Sequence, residues 1–183
     1  FQFRAGRGGS EQFHGSVLPP DGSTDTRAFR EVQEVSTVLE KLAPLCTSRT
    51  CNQVALLYDW HSRWALDYAW MAHRGNQKYE ETVQAHHTAL TAAGYGVDII
   101  DQLSDLTPYK AVIAPMAYLL RDGFAQRLTD FAAAGGLVYL TYLSGYVDEE
   151  NLRYASTPPL EALTGLRTDE IDAYTEGHEN HFL

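Results

Sequence analysis

The chain has 183 residues, with 14 Lys and Arg against 24 Asp and Glu, for a formal net charge of −10. This length suits one domain with an appendage, and a composition of 44% hydrophobic and 21% charged residues is that of a folded protein. The acidic balance argues against nucleic acid or an anionic membrane as partner, since either requires a basic stripe; no apolar run approaches the roughly 20 residues of a membrane helix.

Residues 1–22 differ from the rest. Phe1-Gln2-Phe3-Arg4 alternates like a strand, passes into a glycine loop and Glu11-Gln12-Phe13-His14, and stops at the turn Pro19-Pro20-Asp21-Gly22. The start has neither an initiator Met nor the apolar core of a leader, so a piece of a longer polypeptide is expected. From Thr26 the period becomes helical, with Phe29, Val32, Val35, Leu39 and Leu42 on one stripe. Asp25 or Thr26 caps its start and Pro44 ends it. Cys46 and Cys51, spaced C-x4-C, fit neither a redox motif nor a zinc knuckle and read as two loop thiols in a reducing compartment.

A regular alternation follows. Strands are expected at 54–58, 97–100, 111–114 and 137–142, all short, the first continuously apolar as in a sheet buried on both faces. Helices are expected at 79–93 and 124–134, closed by Gly94 and by Gly135-Gly136, with a short one at 159–163 and a partly helical aromatic segment after the first strand. The pattern predicts an α/β fold, a three-layer flavodoxin-like sandwich around a mainly parallel sheet.

Ligands of open α/β sheets bind beyond the carboxyl ends of the strands. Asp59-Trp60-His61-Ser62-Arg63 follows the first strand, too bulky and glycine-free for a flavin-phosphate loop, and Asp59 lacks the second acid of a phospho-acceptor site. Ser144, after the fourth strand, has Gly145 behind it but Leu143 ahead, half of a nucleophile elbow; the histidines downstream, His178 and His181, stand near the chain end. Adjacent His86 and His87 point about 100° apart on a helix and cannot share an ion. Glu80-Glu81 and Glu149-Glu150 read as solvated faces. No metal site and no cofactor are expected. Trp60, Trp64, Tyr68 and Trp70 crowd one segment with Arg63 among them, a composition that fits either core or an interface centre. Glu11 and His14, three residues apart, could accept from and donate to vicinal hydroxyls.

Phe1-Gln2-Phe3-Arg4, Gly9 to His14 and Thr24 to Arg27 resemble the stretch of family 42 glycoside hydrolases, the bacterial β-galactosidases, where the catalytic barrel gives way to the next domain. Val54 to Asp59, Trp64-Ala65-Leu66, Leu90 to Asp98, Tyr109 to Leu120, Ala134-Gly135-Gly136 and Thr141 to Glu149 are similar to that family's trimerisation domain, of flavodoxin- or amidotransferase-like fold. Phe3 departs from the family's usual Trp, and Pro20 from a common His. The resemblance implies a barrel remnant at 1–22, a trimerisation-like domain at 23–176 and a polar tail at 177–183. It matches Glu11 and His14 to residues that contact galactose. It also implies that the two catalytic Glu residues of the retaining barrel, which must stand roughly 5 Å apart, precede this chain. The expectation is a cytoplasmic, non-catalytic module that joins three copies of a β-galactosidase, meets its galactoside substrate only in the intact enzyme, and uses Trp60, Trp64, Tyr68 and Trp70 as interface. The competing expectation is a free-standing amidotransferase-like hydrolase using Ser144.

Overall fold

In the computed structural model, residues 2–10, 12–71 and 77–171 are described, and the chain divides into two compact units, Phe1–Thr50 and Cys51–Leu183. In the first unit the expected strand is reduced to a single bridge between Arg4 and Leu18, closed by Leu18 N–H to the Phe3 carbonyl and Ala5 N–H to the Leu18 carbonyl, both 2.9 Å. One bridge suffices because Arg4 fastens the turn with its side chain, donating to the Pro20 carbonyl from Nη2 at 2.6 Å. Helix α1 spans Arg27–Leu42. Its cap is Thr26, whose Oγ1 accepts from Phe29 N–H at 3.1 Å, while Asp25 pairs with Arg30 at 2.7 Å instead. Pro44 does not stop the chain's helical course at once, since it fits the first turn of a 3-10 segment, Ala43–Thr47. None of the α1 stripe is buried.

The second unit contains β1 (Val54–Leu57), α2 (Trp60–Tyr68), α3 (Tyr79–Ala92), β2 (Val97–Ile100), β3 (Ala111–Ala114), α4 (Phe124–Ala133), β4 (Leu137–Leu140) and α5 (Glu161–Thr164). The sheet runs β2-β1-β3-β4, wholly parallel, with Val54 opposite both Val97 and Ala111, and Ala111 opposite Leu137. Because strand side chains alternate, Val54 and Leu56 of β1 join Ala65 and Leu66 of α2 and Tyr79 and Val83 of α3 in one core. Ala55 and Leu57 join Val112 of β3 and Phe124 and Leu128 of α4 in the other. This is the expected three-layer sandwich.

The central strands are buried along their length save for a half-buried Ala111 at the start of β3, but the expectation of four buried strands fails at the edges. Leu137 and Tyr139 of β4 are 56% and 48% exposed, and Ile99 of β2 is exposed too. The apolar run of β4 is covered on one face only, where Val138 and Leu140 pack against the α4 core. Both glycine caps form as expected. Gly94 and Gly135 take φ of 86° and 94°, and the next residues close each helix by hydrogen bonds from Tyr95 N–H to the Leu90 carbonyl and from Gly136 N–H to the Phe131 carbonyl.

Candidate functional site

The sheet changes direction of winding between β1 and β3, and this switch point is where a ligand of such a fold sits. Here it is closed by the chain's own side chains. Asp59, next after Tyr58 at the end of β1, caps α2: its Oδ1 accepts from Ser62 N–H at 2.8 Å, and its own N–H donates to the Tyr79 hydroxyl at 2.8 Å. Ser62 Oγ donates to the Leu119 carbonyl at 3.2 Å and accepts from Leu119 N–H at 3.1 Å. Gln102, from the loop after β2, donates to the same carbonyl at 2.7 Å and accepts from Arg121 N–H at 2.9 Å. The Arg127 guanidinium donates in turn to the Gln102 carbonyl. Asp59, Ser62 and Gln102 are buried. Their polar atoms are satisfied within the protein, as buried polar groups must be, and the α2 N-terminus holds a carboxylate where a flavodoxin-like site holds phosphate. Burial pushes the Tyr79 hydroxyl far above the ordinary tyrosine range.

The loop after β4 folds onto the loop after β3. Thr141 Oγ1 accepts from Met116 N–H at 2.7 Å, Ser144 Oγ accepts from Ala117 N–H at 3.2 Å, and Gly145 N–H returns to the Ala117 carbonyl at 2.8 Å. Leu143 and Gly145 both have positive φ, 63° and 69°, so the bend of an elbow is present. A Cβ at Gly145 would stand 2.8 Å from the Leu160 side chain, which reserves the position for glycine. Ser144 acts here as a clasp between loops. Among the described residues no histidine or carboxylate bonds to it, and His178 and His181 lie outside the described residues.

The other sequence candidates are placed as follows. Glu11 lies outside the described residues, and His14 is exposed. His86 turns its Nδ1 back to the Thr82 carbonyl at 2.7 Å. Glu80 accepts from the Tyr58 hydroxyl at 3.0 Å and pairs with Arg63 at 3.2 Å, and Glu149 accepts from Asp122 N–H at 3.2 Å. Cys46 and Cys51 are free and exposed.

The aromatic segment is resolved into two halves by the helical period. Ser62, Ala65 and Leu66 face inward. Trp60, Trp64 and Tyr68, four residues apart, line the outer face at 51%, 53% and 81% exposure, and Trp70 beyond them is at 76%. The Trp60 and Trp64 rings lie 5.8 Å apart, Tyr58 meets Trp60 edge-on at 5.2 Å, and the Arg63 guanidinium stands 5.3 Å from the Trp60 ring. The hydroxyl of Tyr58 and the guanidinium of Arg63 share Glu80, so this edge of the ridge is held in one arrangement. Sequence reasoning missed Ser62 and Gln102; an Asp before a helix with Ser three residues on was the available signal for the first.

A family described as the β-galactosidase trimerisation domain matches residues 52–183, and a second family, described as β-galactosidase, matches residues 1–42. The chain belongs to the family 42 β-galactosidases. The boundary between its compact units, after Thr50, falls between the two matched stretches. It is 42% identical to the β-galactosidase BglY of Alicyclobacillus acidocaldarius, covering 97% of this chain and 26% of the relative, and 38% identical to GanA of Bacillus subtilis, covering 94% and 26%. Among solved structures, the cold-adapted β-galactosidase of Rahnella sp. R3 superposes with a TM-score of 0.78 at 42% identity, covering 97% of this chain and 26% of that one. That of Bacillus circulans sp. alkalophilus gives 0.80 at 36%, covering 97% and 27%. The chain thus spans about a quarter of the length of these family members.

Proposed function

We propose that this chain is the assembly module of a β-galactosidase, joining three copies through the outer face of α2 and the loop after β4. The observation that carries this reading is the ridge of Trp60, Trp64 and Tyr68, exposed on a helix whose N-terminal crevice is already filled, with Trp70 exposed just beyond it. Large aromatics beside an Arg are the composition of interface centres. A fold whose usual ligand crevice is occupied by its own side chains serves as scaffold. In this reading the module itself hydrolyses nothing; cleavage of terminal β-D-galactosides belongs to a carboxylate pair in the barrel of the intact enzyme, whose rim the three-fold assembly shapes. Residues 1–22 supply the end of that barrel, with Glu11 and His14 directed to galactose, residues 23–176 form the trimerisation domain, and 177–183 are its tail. The absence, among the described residues, of a helix long and apolar enough to cross a membrane and two exposed free thiols support a cytoplasmic enzyme.

Light scattering on a sizing column across a dilution series tests the reading. The expected mass is about three times the 20.4 kDa of the chain, with no release of a chromogenic aglycone from a galactoside. A monomer at every concentration, or galactoside hydrolysis by the isolated chain, overturns it.

A further inference from the structure

The sequence holds two Asp-Gly pairs, Asp21-Gly22 and Asp122-Gly123. A glycine after Asp has no Cβ to shield its amide nitrogen, which can therefore attack the neighbouring carboxyl carbon. The structure treats the two pairs in opposite ways. We propose that Asp122 is a site of spontaneous conversion to isoaspartate and that Asp21 is protected from it. This goes beyond the assembly reading and does not depend on it, since the bonds that decide it lie within each turn.

Asp21 is held at both reacting groups. Gly22 N–H donates to the Pro19 carbonyl at 2.9 Å, and Asp21 Oδ1 accepts from Ser23 N–H at 2.9 Å. Asp122 is held at neither. Phe124 N–H reaches back to the Arg121 carbonyl at 3.1 Å, and Gly123 has φ 75° and ψ −7°, so residues 121–124 form a type II turn with Asp122 and Gly123 at its centre. Among the described residues, the Gly123 N–H, the Asp122 carbonyl and the Asp122 carboxylate take part in no hydrogen bond or ion pair. The bond that Asp122 does make runs from its own N–H to Glu149 Oε2 at 3.2 Å. It anchors the residue and leaves the peptide between Asp122 and Gly123 free to rotate, and glycine accepts either sign of φ as it does so. A cavity of about 610 Å³, lined among others by Arg121, Asp122, Gly123 and Glu149, gives water access to this turn.

The conversion needs no co-reactant other than water. The Gly123 nitrogen bonds to Asp122 Cγ of the carboxyl in its acid form. The C–OH bond breaks, and the hydroxyl leaves with the amide proton as water, closing a cyclic imide. Water then opens the ring. Addition at Cγ restores aspartate. Addition at the backbone carbonyl carbon breaks its bond to nitrogen, so the chain runs on through Cβ and Cγ with the α-carboxylate free. That main chain is one atom longer immediately before Phe124, which is fully buried, and the turn that starts α4 no longer fits.

Peptide mapping of the chain aged in mildly acidic buffer at physiological temperature tests this, with the same chain aged in urea for comparison. Trypsin cuts after Arg121 and Arg127, so the peptide 122–127 carries the site. Isoaspartate and aspartate forms separate at equal mass and are told apart by electron-transfer fragmentation. In urea the two Asp-Gly pairs are expected to isomerise at similar rates. In the folded chain Asp122 is expected to isomerise about tenfold faster than Asp21, whose two hydrogen bonds must break first. Asp122→Glu would have to close a larger and slower ring; it is expected to give no isomer at that position while Asp21 behaves as in the parent. Equal rates at the two pairs in the folded chain, or a folded ratio no greater than the ratio in urea, overturns the proposal. So does a folded chain that keeps Asp122 intact for as long as urea takes to convert it. None of these outcomes touches the mass in solution, so the assembly reading stands or falls by its own test.

Discussion

The two faces of α2 are made from the same nine residues and follow opposite rules. On the inner face, Ser62, Ala65 and Leu66 are buried, and the one polar group among them bonds a backbone carbonyl and N–H of Leu119. On the outer face, Trp60, Trp64 and Tyr68 leave half or more of their surface in water. A helix in this position of a doubly wound fold ordinarily uses its N-terminus for a ligand. Here Asp59 occupies that end, so the inner face is given to stability and the outer one is the face proposed for recognition. The difference teaches that one helix of this topology is packed tightly on one side and bare on the other, a distinction the fold class does not specify.

The largest effect that would test this contrast lies on the inner face. Leu66→Ala removes a fully buried side chain and is expected to cost about 3 kcal/mol of unfolding free energy, read from the midpoint of urea denaturation. The outer pair should behave in the opposite way: Trp60→Ala with Trp64→Ala is expected to weaken the trimer on the order of a hundredfold, about 2.7 kcal/mol, while the melting of the dissociated chain barely moves. If those substitutions instead lower the melting temperature and leave association unchanged, the ridge is core and the contrast collapses. Ser62→Ala leaves the Leu119 N–H without its partner in a dry crevice; about 2 kcal/mol is expected, with no change in association. The smallest effect concerns pH. The Tyr79 hydroxyl, which accepts from Asp59 N–H, has its pKa raised by burial in the folded state. The unfolded tyrosine ionises near about 10, so above that pH the unfolded chain gives up a proton the folded one keeps. Stability is therefore full below about pH 10 and falls as pH rises beyond it. Tyr79→Phe should flatten that fall, and an unchanged slope would show that Tyr79 is not its source.

Much of the second unit was legible in the sequence, and the exceptions have physical causes. Val54 to Leu57 and Val112 to Ala114 read as buried strand residues and are buried, because continuous apolar residues demand cover on both faces. Leu137 to Leu140 carries the same signature and is half open, since an apolar run does not encode whether a strand lies in the middle of a sheet or at its edge. Phe1-Gln2-Phe3-Arg4 alternates as a strand should, yet only Arg4 finds a bridge partner. At the site, the glycine signals and the cap between Asp59 and Ser62 N–H were readable from neighbours in sequence, while the side-chain ties of Ser62 and Gln102 were not. Their partners are backbone groups of Leu119, which is 57 positions from Ser62 and 17 from Gln102, and short-range patterns are blind at that range. The aromatic segment stayed ambiguous for another reason: tryptophan is equally at home in cores and at interface centres, and only the phase of α2 decides between them.

The phase of that helix has an optical consequence. The chain has three tryptophans; Trp60 and Trp64 stand on the outer ridge, and Trp70, just beyond α2, is exposed as well. Its ultraviolet-excited emission therefore originates almost entirely from α2 and the two residues after it. The wavelength of that light reports how wet this segment is and is silent about the core on the far face of the sheet, so the protein carries its own dye, already attached where subunits are proposed to touch.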